Sequence, residues 1–143
     1  MNVDTSLMEN HLKATLYTDG ASLGNPGRAG VSFILYTLER DLIKKGSQFI
    51  GWTTNNVAEY IALIYGMQEA LGLGIKELIC YSDSELLVRQ LKGHYKVRSE
   101  QLLLFYNLVK HLESLFTTVK FCHIRRDDNV EADKMAKEAA KGG

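Results

Sequence analysis

An apolar strand that ends in an acid and runs into a glycine-rich turn is the strongest constraint in this sequence. Residues 14–18 are apolar, aromatic or β-branched, Asp19 follows, and residues 20–27 hold three glycines and the only proline. Alternate side chains of a strand share a face, so Tyr17 and Asp19 should point the same way. A carboxylate at a strand end is costly to bury unless something binds it. Asp-Gly alone is mainly a turn signal, so only further acids in comparable places favour a binding site.

Two more runs extend this strand into a sheet. Residues 29–36 and 41–52 are rich in β-branched and aromatic side chains and are joined by short links. Consecutive strands with short links predict an antiparallel meander. The polar stretch 53–56 then offers several capping side chains ahead of a helix-period apolar pattern, which ends near Gly72 and Gly74.

The second half of the chain alternates short strands with helices. Strand patterns cover residues 78–81 and 118–123, and a strand reached through a helix should lie parallel to the first one. The other predicted elements are a helix over 85–91 capped by Asp83 or Ser84, a helix capped by Ser99, a charged loop over 124–128 and a last helix over 129–141. We therefore expect an α/β fold with a five-stranded mixed sheet, three strands antiparallel and then two parallel, and helices on both faces.

Size and composition are those of an ordinary globular domain. The 143 residues predict a single domain over residues 1–143, in which residues 1–12 should be flexible or peripheral. The 17 basic and 17 acidic side chains cancel, which argues against a protein that coats nucleic acid electrostatically. No apolar run approaches the roughly 20 residues of a membrane span, and no secretion signal is recognisable. We expect a cytoplasmic protein that does not bind membranes, with Cys80 and Cys122 reduced and buried.

Four acids fall where the predicted topology would bring them together. Asp19 ends the first strand, and Asp83 follows the strand expected beside it, where open α/β sheets bind ligands. Glu59 and Asp133 lie in the first turns of two predicted helices, where a single acid often only complements the helix dipole. Several carboxylates in one pocket repel each other and stay ionised only beside cations. Together, the four acids predict a metal site.

Oxygen ligands alone favour a hard cation. Mg²⁺ or Mn²⁺ suits carboxylates, keeps water ligands and leaves room for a phosphate. Neither the cysteines nor any histidine pair has zinc spacing. Two such ions in one site serve phosphodiester hydrolysis, since one activates the attacking water and the other stabilises the leaving oxygen. The expected cofactor is therefore Mg²⁺, with Mn²⁺ as the alternative, at two ions per site.

Four stretches in this order resemble the type 1 ribonuclease H family. They are Tyr17-Thr18-Asp19-Gly20-Ala21-Ser22 with Gly24-Asn25-Pro26-Gly27, Thr54-Asn55-Asn56-Val57-Ala58-Glu59, Tyr81-Ser82-Asp83-Ser84, and Asn129-Val130-Glu131-Ala132-Asp133, and the likeness covers residues 14–140. The resemblance implies a ribonuclease H-like fold and endonucleolytic cleavage of the RNA strand of RNA/DNA hybrids, leaving 3′-hydroxyl and 5′-phosphate ends. It also implies that Asp19 and Asp83 hold the metals most directly, with Glu59 completing the first site and Asp133 the second.

Two further side chains are candidates for assisting catalysis. By resemblance, a histidine near the position of His123 helps product release or handles the attacking water, and a strand-end histidine bonded to backbone is the alternative. Arg126 precedes Asp133 by seven residues and would shield charge that develops on the phosphoryl group. A surface ion pair with Asp127 or Asp128 is the alternative for Arg126.

Polar residues around the acids are candidates for binding the hybrid. By resemblance, Asn25, Thr54, Asn55 and Asn56 contact RNA 2′-hydroxyls or a DNA phosphate, and the 2′-hydroxyl is what separates RNA from DNA. Ser84 completes the set of predicted substrate contacts. Helix capping explains Thr54 and Asn55 equally well.

The chain has limited means of gripping a duplex. Many relatives carry a long basic insertion, whereas here only residues 92–98 join two helices, with three Lys or Arg side chains beside Tyr95. A solvated loop is the alternative for this segment. Trp52 should close the edge of the core, with stacking on a DNA sugar as the alternative. We expect weak, salt-sensitive hybrid binding by a monomer without an obligate protein partner.

Two other functions fit parts of this pattern. A nuclease of the same fold that cuts branched or double-stranded DNA would share the acids, and a nucleic-acid-binding module would keep the surface without cutting. The chain has no match to the additional elements of such DNA nucleases. The presence of all four acids argues against a module that no longer cuts.

Overall fold

Residues 12–142, the part of the chain that the computed structural model describes, fold into five strands and four helices. The strands are β1 Lys13–Leu23, β2 Gly27–Tyr36, β3 Leu42–Thr53, β4 Glu77–Ser82 and β5 Thr118–His123. The helices are α1 Asn55–Gly72, α2 Glu85–Leu91, α3 Glu100–Ser114 and α4 Val130–Gly142, with a 3₁₀ turn at Arg126–Asp128. The expectation that residues 1–12 are flexible or peripheral concerns residues that, except for Leu12, lie outside the described range.

The strands form one mixed sheet in the order β3-β2-β1-β4-β5. β2 pairs antiparallel with both β1 and β3, whereas β4 pairs parallel with both β1 and β5. The parallel neighbours are reached through helices, because a tight hairpin can only reverse the chain direction. The predicted α/β architecture with a five-stranded mixed sheet is confirmed.

β1 is longer than its sequence pattern predicts. A turn was expected directly after Asp19, but β1 continues through Gly20 to Leu23, and the turn occupies residues 24–26. The prediction was wrong because β2 supplies pairing partners for every residue from Asp19 to Leu23. Asp19 therefore lies inside the sheet, where only 3% of its surface is exposed.

Two glycines show that helices cover both faces of the sheet. A Cβ at Gly20 would lie 2.2 Å from the backbone carbonyl carbon of Ala58 in α1. A Cβ at Gly30 would lie 2.4 Å from the carbonyl oxygen of Ala136 in α4. Gly20 is paired with Val31, the neighbour of Gly30, so the two glycines point to opposite faces. The prediction of helices on both faces is therefore confirmed.

The main hydrophobic core lies between the sheet and α1. Its largest fully buried side chains include Leu16, Leu35, Leu63, Met67 and Val109. Burying one such aliphatic side chain contributes about 2 kcal/mol. Cys80 is buried in this core as expected, whereas Cys122 is only half-buried, and both are free thiols.

Polar side chains cap the helices close to the predicted positions. Thr54, Ser84 and Ser99 each accept a hydrogen bond from a backbone N–H three residues on, at 3.3, 3.2 and 3.2 Å. Residues 124–128 are not a plain loop, because Asp128 N–H donates to the Arg125 carbonyl and closes the 3₁₀ turn. Among residues 12–142, no helix combines the length and apolar character that a membrane span requires.

Candidate active site

Two acids stand side by side where the parallel ladder of β1 and β4 ends. The last pair of this ladder is Tyr17 with Tyr81, and Asp19 and Asp83 each follow two residues later. Register in the sheet therefore brings together two side chains that are 64 positions apart in sequence. Asp19 is buried, whereas Asp83 is half-buried beyond the end of β4.

Glu59 joins these two acids from α1. Asp19, Glu59 and Asp83 each offer a carboxylate oxygen, and the three oxygens lie within 4.8 Å of one another. Glu59 lies in the second turn of α1, not the first, and is only 5% exposed. Glu59 therefore does more than complement the dipole of its helix, because its carboxylate is buried against the other two acids.

A single backbone N–H orients Glu59. The Gly20 N–H donates to Glu59 Oε1 at 2.7 Å. This contact depends on the close approach of α1 to β1, which a side chain at position 20 would block. Gly20 thus serves the site by allowing helix and strand to touch, and not by forming the turn that its sequence suggests.

Asp133 adjoins the other acids from the first turn of α4. Beside the larger effect of burial, its nearness helps to raise the pKa of Asp19. Asp133 Oδ2 also forms an ion pair with Lys137 Nζ at 3.0 Å, one helical turn further on. Asp133 lines a cleft with Asp19 and Glu59. Asp83 belongs with these two to the group of three, so the structure brings the four predicted acids together.

Burial and mutual repulsion raise the proton affinity of the innermost acids. Desolvation, followed by the charges of Glu59 and Asp83, raises the pKa of Asp19 from 3.8 to about 10. Burial also raises the pKa of Glu59 from 4.5 to about 8, although the hydrogen bond from Gly20 opposes this rise. Without added positive charge, these carboxyls would therefore hold protons near neutral pH.

The donor set fits hard divalent cations. The clustered atoms are all carboxylate oxygens, the ligands that Mg²⁺ and Mn²⁺ prefer. A cation among them would replace the protons and offset the repulsion that now raises both pKa values. Asp19, Glu59 and Asp83 would be its ligands.

Two cationic side chains balance the acids in the cleft. Arg126 and Lys137 line it together with Asp19, Glu59 and Asp133. The Arg126 charge acts on Glu59 and lowers its pKa against the effect of burial.

The ion pair considered for Arg126 is made instead by its neighbour. Arg125 pairs with Asp127 at 3.6 Å, and both side chains are largely exposed. No contact described for residues 12–142 joins His123 to the four carboxylates; it is exposed at the end of β5, paired with Ser82.

Three of the predicted substrate residues form a polar rim beside the acids. Asn25 Oδ1 accepts from the Asn55 N–H at 2.9 Å, and Asn55 Oδ1 accepts from the Ser22 N–H at 3.3 Å. Thr54 caps α1 next to this network. The turn after β1 is thereby tied to the start of α1.

Comparison with known proteins identifies the family. A family model described as reverse transcriptase-like matches residues 17–139. A bifunctional protein of Mycobacterium tuberculosis is 37% identical over 90% of this chain, and the match spans 35% of that protein's length. The solved N-terminal RNase H domain of the same protein has a TM-score of 0.88 and 37% identity, covering 91% of this chain and 94% of that chain. The chain belongs to the type 1 ribonuclease H family.

Two further solved members share the fold. The RNase H1 of the archaeon Halobacterium salinarum has a TM-score of 0.89 at 33% identity, covering 92% of this chain and 99% of that one. LC11-RNase H1, solved in complex with an RNA/DNA hybrid, has a TM-score of 0.86 at 35% identity. The match covers 90% of this chain and 96% of that one. This ribonuclease H chain thus spans about a third of the mycobacterial protein but nearly all of the solved domains.

Of the remaining predicted residues of this ribonuclease H, one caps a helix and three are exposed. Ser84 is occupied as the cap of α2, and Asn56 is exposed at the start of α1. Trp52 does not close the core, because 71% of its surface is exposed at the end of β3; that prediction was wrong. In the loop after α2, Tyr95 is exposed and the Arg89 guanidinium lies 5.4 Å from its ring centre.

Sequence reasoning missed two residues of this ribonuclease H site. Lys137 pairs with Asp133, and the spacing of four residues along a helix was a usable signal. Asn129 donates from Nδ2 to Asp83 Oδ2 at 3.1 Å; it belongs to one of the four stretches that carry the resemblance, but the sequence predicted no role for its side chain.

Proposed function

We propose that this chain is an endonuclease that hydrolyses the RNA strand of RNA/DNA hybrids, leaving 3′-hydroxyl and 5′-phosphate ends. The observation that carries the proposal is the group of three carboxylates, from Asp19, Glu59 and Asp83, with oxygens within 4.8 Å of one another. Such a cluster in a member of the ribonuclease H family supports metal-assisted phosphodiester hydrolysis. The related LC11-RNase H1 was solved with an RNA/DNA hybrid, which supports the same substrate here.

We further propose Mg²⁺ as the cofactor, with Mn²⁺ able to replace it, at two ions per site. When bound, the ions supply an activated water and a stabilised leaving oxygen. Asp19 and Asp83 would hold them most directly, with Glu59 completing the first site and Asp133 the second. The all-oxygen donor set and the raised pKa values of Asp19 and Glu59 support this assignment.

The chain's own residues orient these ligands and balance charge around them. The Gly20 N–H fixes one oxygen of Glu59. Arg126 and Lys137 give the cleft positive charge, which would attract a substrate phosphate and stabilise the charge that grows on it during hydrolysis. His123 is exposed at the end of β5, where it pairs with Ser82, the residue before Asp83, and we assign it to product release.

We propose that the polar rim distinguishes RNA from DNA. Asn25, Thr54 and Asn55 of this rim would contact sugars and phosphates, together with Asn56 and Ser84. Asn25 and Asn55 are already fixed by their hydrogen bond, so little side-chain freedom would be lost on binding. Hydrogen bonds to the 2′-hydroxyl are available only from an RNA strand.

Cleavage of end-labelled duplexes tests this function. RNA/DNA, RNA/RNA and DNA/DNA duplexes of one sequence are incubated with Mg²⁺, Mn²⁺ or EDTA, with Asp83→Asn as the inactive control. We expect cleavage of the hybrid's RNA strand alone, and none with EDTA. Cutting of DNA/DNA in preference to the hybrid would indicate a DNA nuclease of this fold, and binding without cutting would indicate a nucleic-acid-binding module.

We propose that the chain acts as a single domain and a monomer in the cytoplasm, without an obligate protein partner. All four acids, both cleft cations and the polar rim come from one chain, which supports a site that needs no second subunit. Light scattering at working concentration tests the mass, and cell fractionation tests the compartment. A dimer whose dissociation abolishes cleavage would contradict the proposal.

A further inference from the structure

Asn129 makes an unusual set of contacts at the start of α4. Its carbonyl accepts from the Asp133 N–H at 3.0 Å, which makes it the N-cap residue of that helix. An N-cap Asn normally turns its side-chain oxygen to the free N–H groups of the first helical turn. Here Asn129 Oδ1 is buried and has no hydrogen-bond partner among the described residues. The side chain of Asn129 therefore does not cap its own helix.

The amide nitrogen of Asn129 is used instead, and it points into the site. Nδ2 donates to the Thr18 carbonyl at 2.9 Å and to Asp83 Oδ2 at 3.1 Å. Both partners are acceptors, so only the nitrogen can face them, and the orientation of the amide is determined by this network. The residue is only 3% exposed, so for its amide nitrogen these two bonds take the place of hydrogen bonds to water.

These contacts link three of the four acids. Thr18 is the residue before Asp19, Asp83 is held directly, and Asp133 is tied through its backbone N–H to the Asn129 carbonyl. β1, the end of β4 and α4 thus meet at one residue. A buried acceptor left without a partner is costly, and such exceptions point to a function that requires the chosen orientation.

We propose that Asn129 is a positioning residue that sets the placement of Asp83 relative to Asp19, and thereby the affinity of the site for divalent cations. This rests on the proposed function in so far as the acids bind such ions. Partners that orient metal ligands typically change metal affinity or activity by about 10–100-fold when they are lost. A purely structural Asn129 would change the melting temperature alone.

Asn129→Ser separates the two roles. Serine is a favourable N-cap residue, so its hydroxyl can cap α4. The serine side chain is one bond shorter than that of asparagine, so its hydroxyl cannot reach both Thr18 and Asp83. The matched control is Asn107→Ser, at an exposed position of α3. Asn129→Thr, with the same capping hydroxyl, serves if the serine variant does not fold.

Three measurements test the proposal on the whole chain. Calorimetric titration with Mn²⁺ should show about tenfold weaker binding in Asn129→Ser, kcat on hybrid should fall by a similar factor, and KM should stay within about twofold. The melting temperature in EDTA should stay within a few degrees of the native value. Asn107→Ser should match the native chain in all three. A lowered melting temperature with native Mn²⁺ affinity and native kcat would overturn the proposal.

The outcome is distinguishable from failure of the proposed function. If the native chain binds Mn²⁺ but does not cleave the hybrid, the function fails, while the comparison of Mn²⁺ affinities still tests Asn129. If the native chain cleaves the hybrid and Asn129→Ser equals it in affinity and kcat, only the role of Asn129 fails.

Discussion

Asp19 is a carboxylate held inside a sheet, next to two other acids, and its substitution should separate activity from stability. Asp19→Asn removes a metal ligand, together with a carboxyl that burial and the charges of Glu59 and Asp83 keep protonated at a cost to stability. We expect hybrid cleavage to fall by about 10³-fold or more. The melting temperature in EDTA at pH 8 should rise by about 3–6 °C, corresponding to about 1–2 kcal/mol. Asp41→Asn, at an exposed position, is the control. Retained cleavage would remove Asp19 from the site.

The same residue should make the stability of the metal-free protein fall as pH rises. The pKa values of Asp19 and Glu59 are raised to about 10 and about 8, so the folded state keeps protons that the unfolded chain releases. Their contribution is fully present below about pH 4 and is lost as pH rises through the folded pKa values. We expect melting temperatures in EDTA to decline between about pH 5 and pH 9, less steeply in Asp19→Asn. Equal slopes in both proteins would contradict the raised pKa of Asp19.

At the scale of elements, the site depends on how closely α1 approaches β1. A Cβ at Gly20 would lie 2.2–2.5 Å from backbone atoms of Ala58 and Glu59, which cannot move without displacing the helix. We expect Gly20→Ala to lower the free energy of unfolding by about 3 kcal/mol and to abolish cleavage, because the hydrogen bond to Glu59 is lost.

Gly72→Ala is the matched control for this effect. Nothing lies within 4 Å of a Cβ at Gly72, the last residue of α1, so this change should be neutral or slightly stabilising. Urea unfolding measures both variants. A Gly20→Ala protein of native stability and activity would show that the contact between α1 and β1 is adjustable.

Sequence patterns predicted the elements where local chemistry decides them, and failed where a neighbour decides them. Thr54, Ser84 and Ser99 cap helices because each forms a bond within its own turn. The end of β1 could not be predicted, since Asp-Gly reads locally as a turn while pairing with β2 keeps the segment extended. Trp52 likewise reads as a core residue, and only the packed sheet shows that its ring is exposed.

At the scale of the whole molecule, formal charge is zero, so hybrid binding must depend on a few local cations. The segment between α2 and α3 carries Lys92, Lys96 and Arg98, all exposed. We expect KM for the hybrid to rise steeply between about 50 and 200 mM salt. Replacing the three residues by Gln should raise KM at low salt and reduce the salt slope by about 1–3.

The control for the variant with Gln at positions 92, 96 and 98, the loop variant, removes one positive charge elsewhere on the molecule. Lys13 pairs with Glu77 at 3.4 Å, at the end of the sheet opposite the acids. Lys13→Gln should leave both KM and the salt slope close to native values. If the loop variant keeps the native slope, the segment between α2 and α3 does not contact the substrate.

The sequence alone determined the order of the elements, the fold family and the four acids. Helix caps, strand alternation and the motif around each acid are properties of a few neighbouring residues. Only the tertiary structure decided that Asp19 is buried within a longer β1 and that Asn129 donates to Asp83. The reason is physical: burial, pairing and the direction of a hydrogen bond depend on groups that are distant in sequence and meet only after packing.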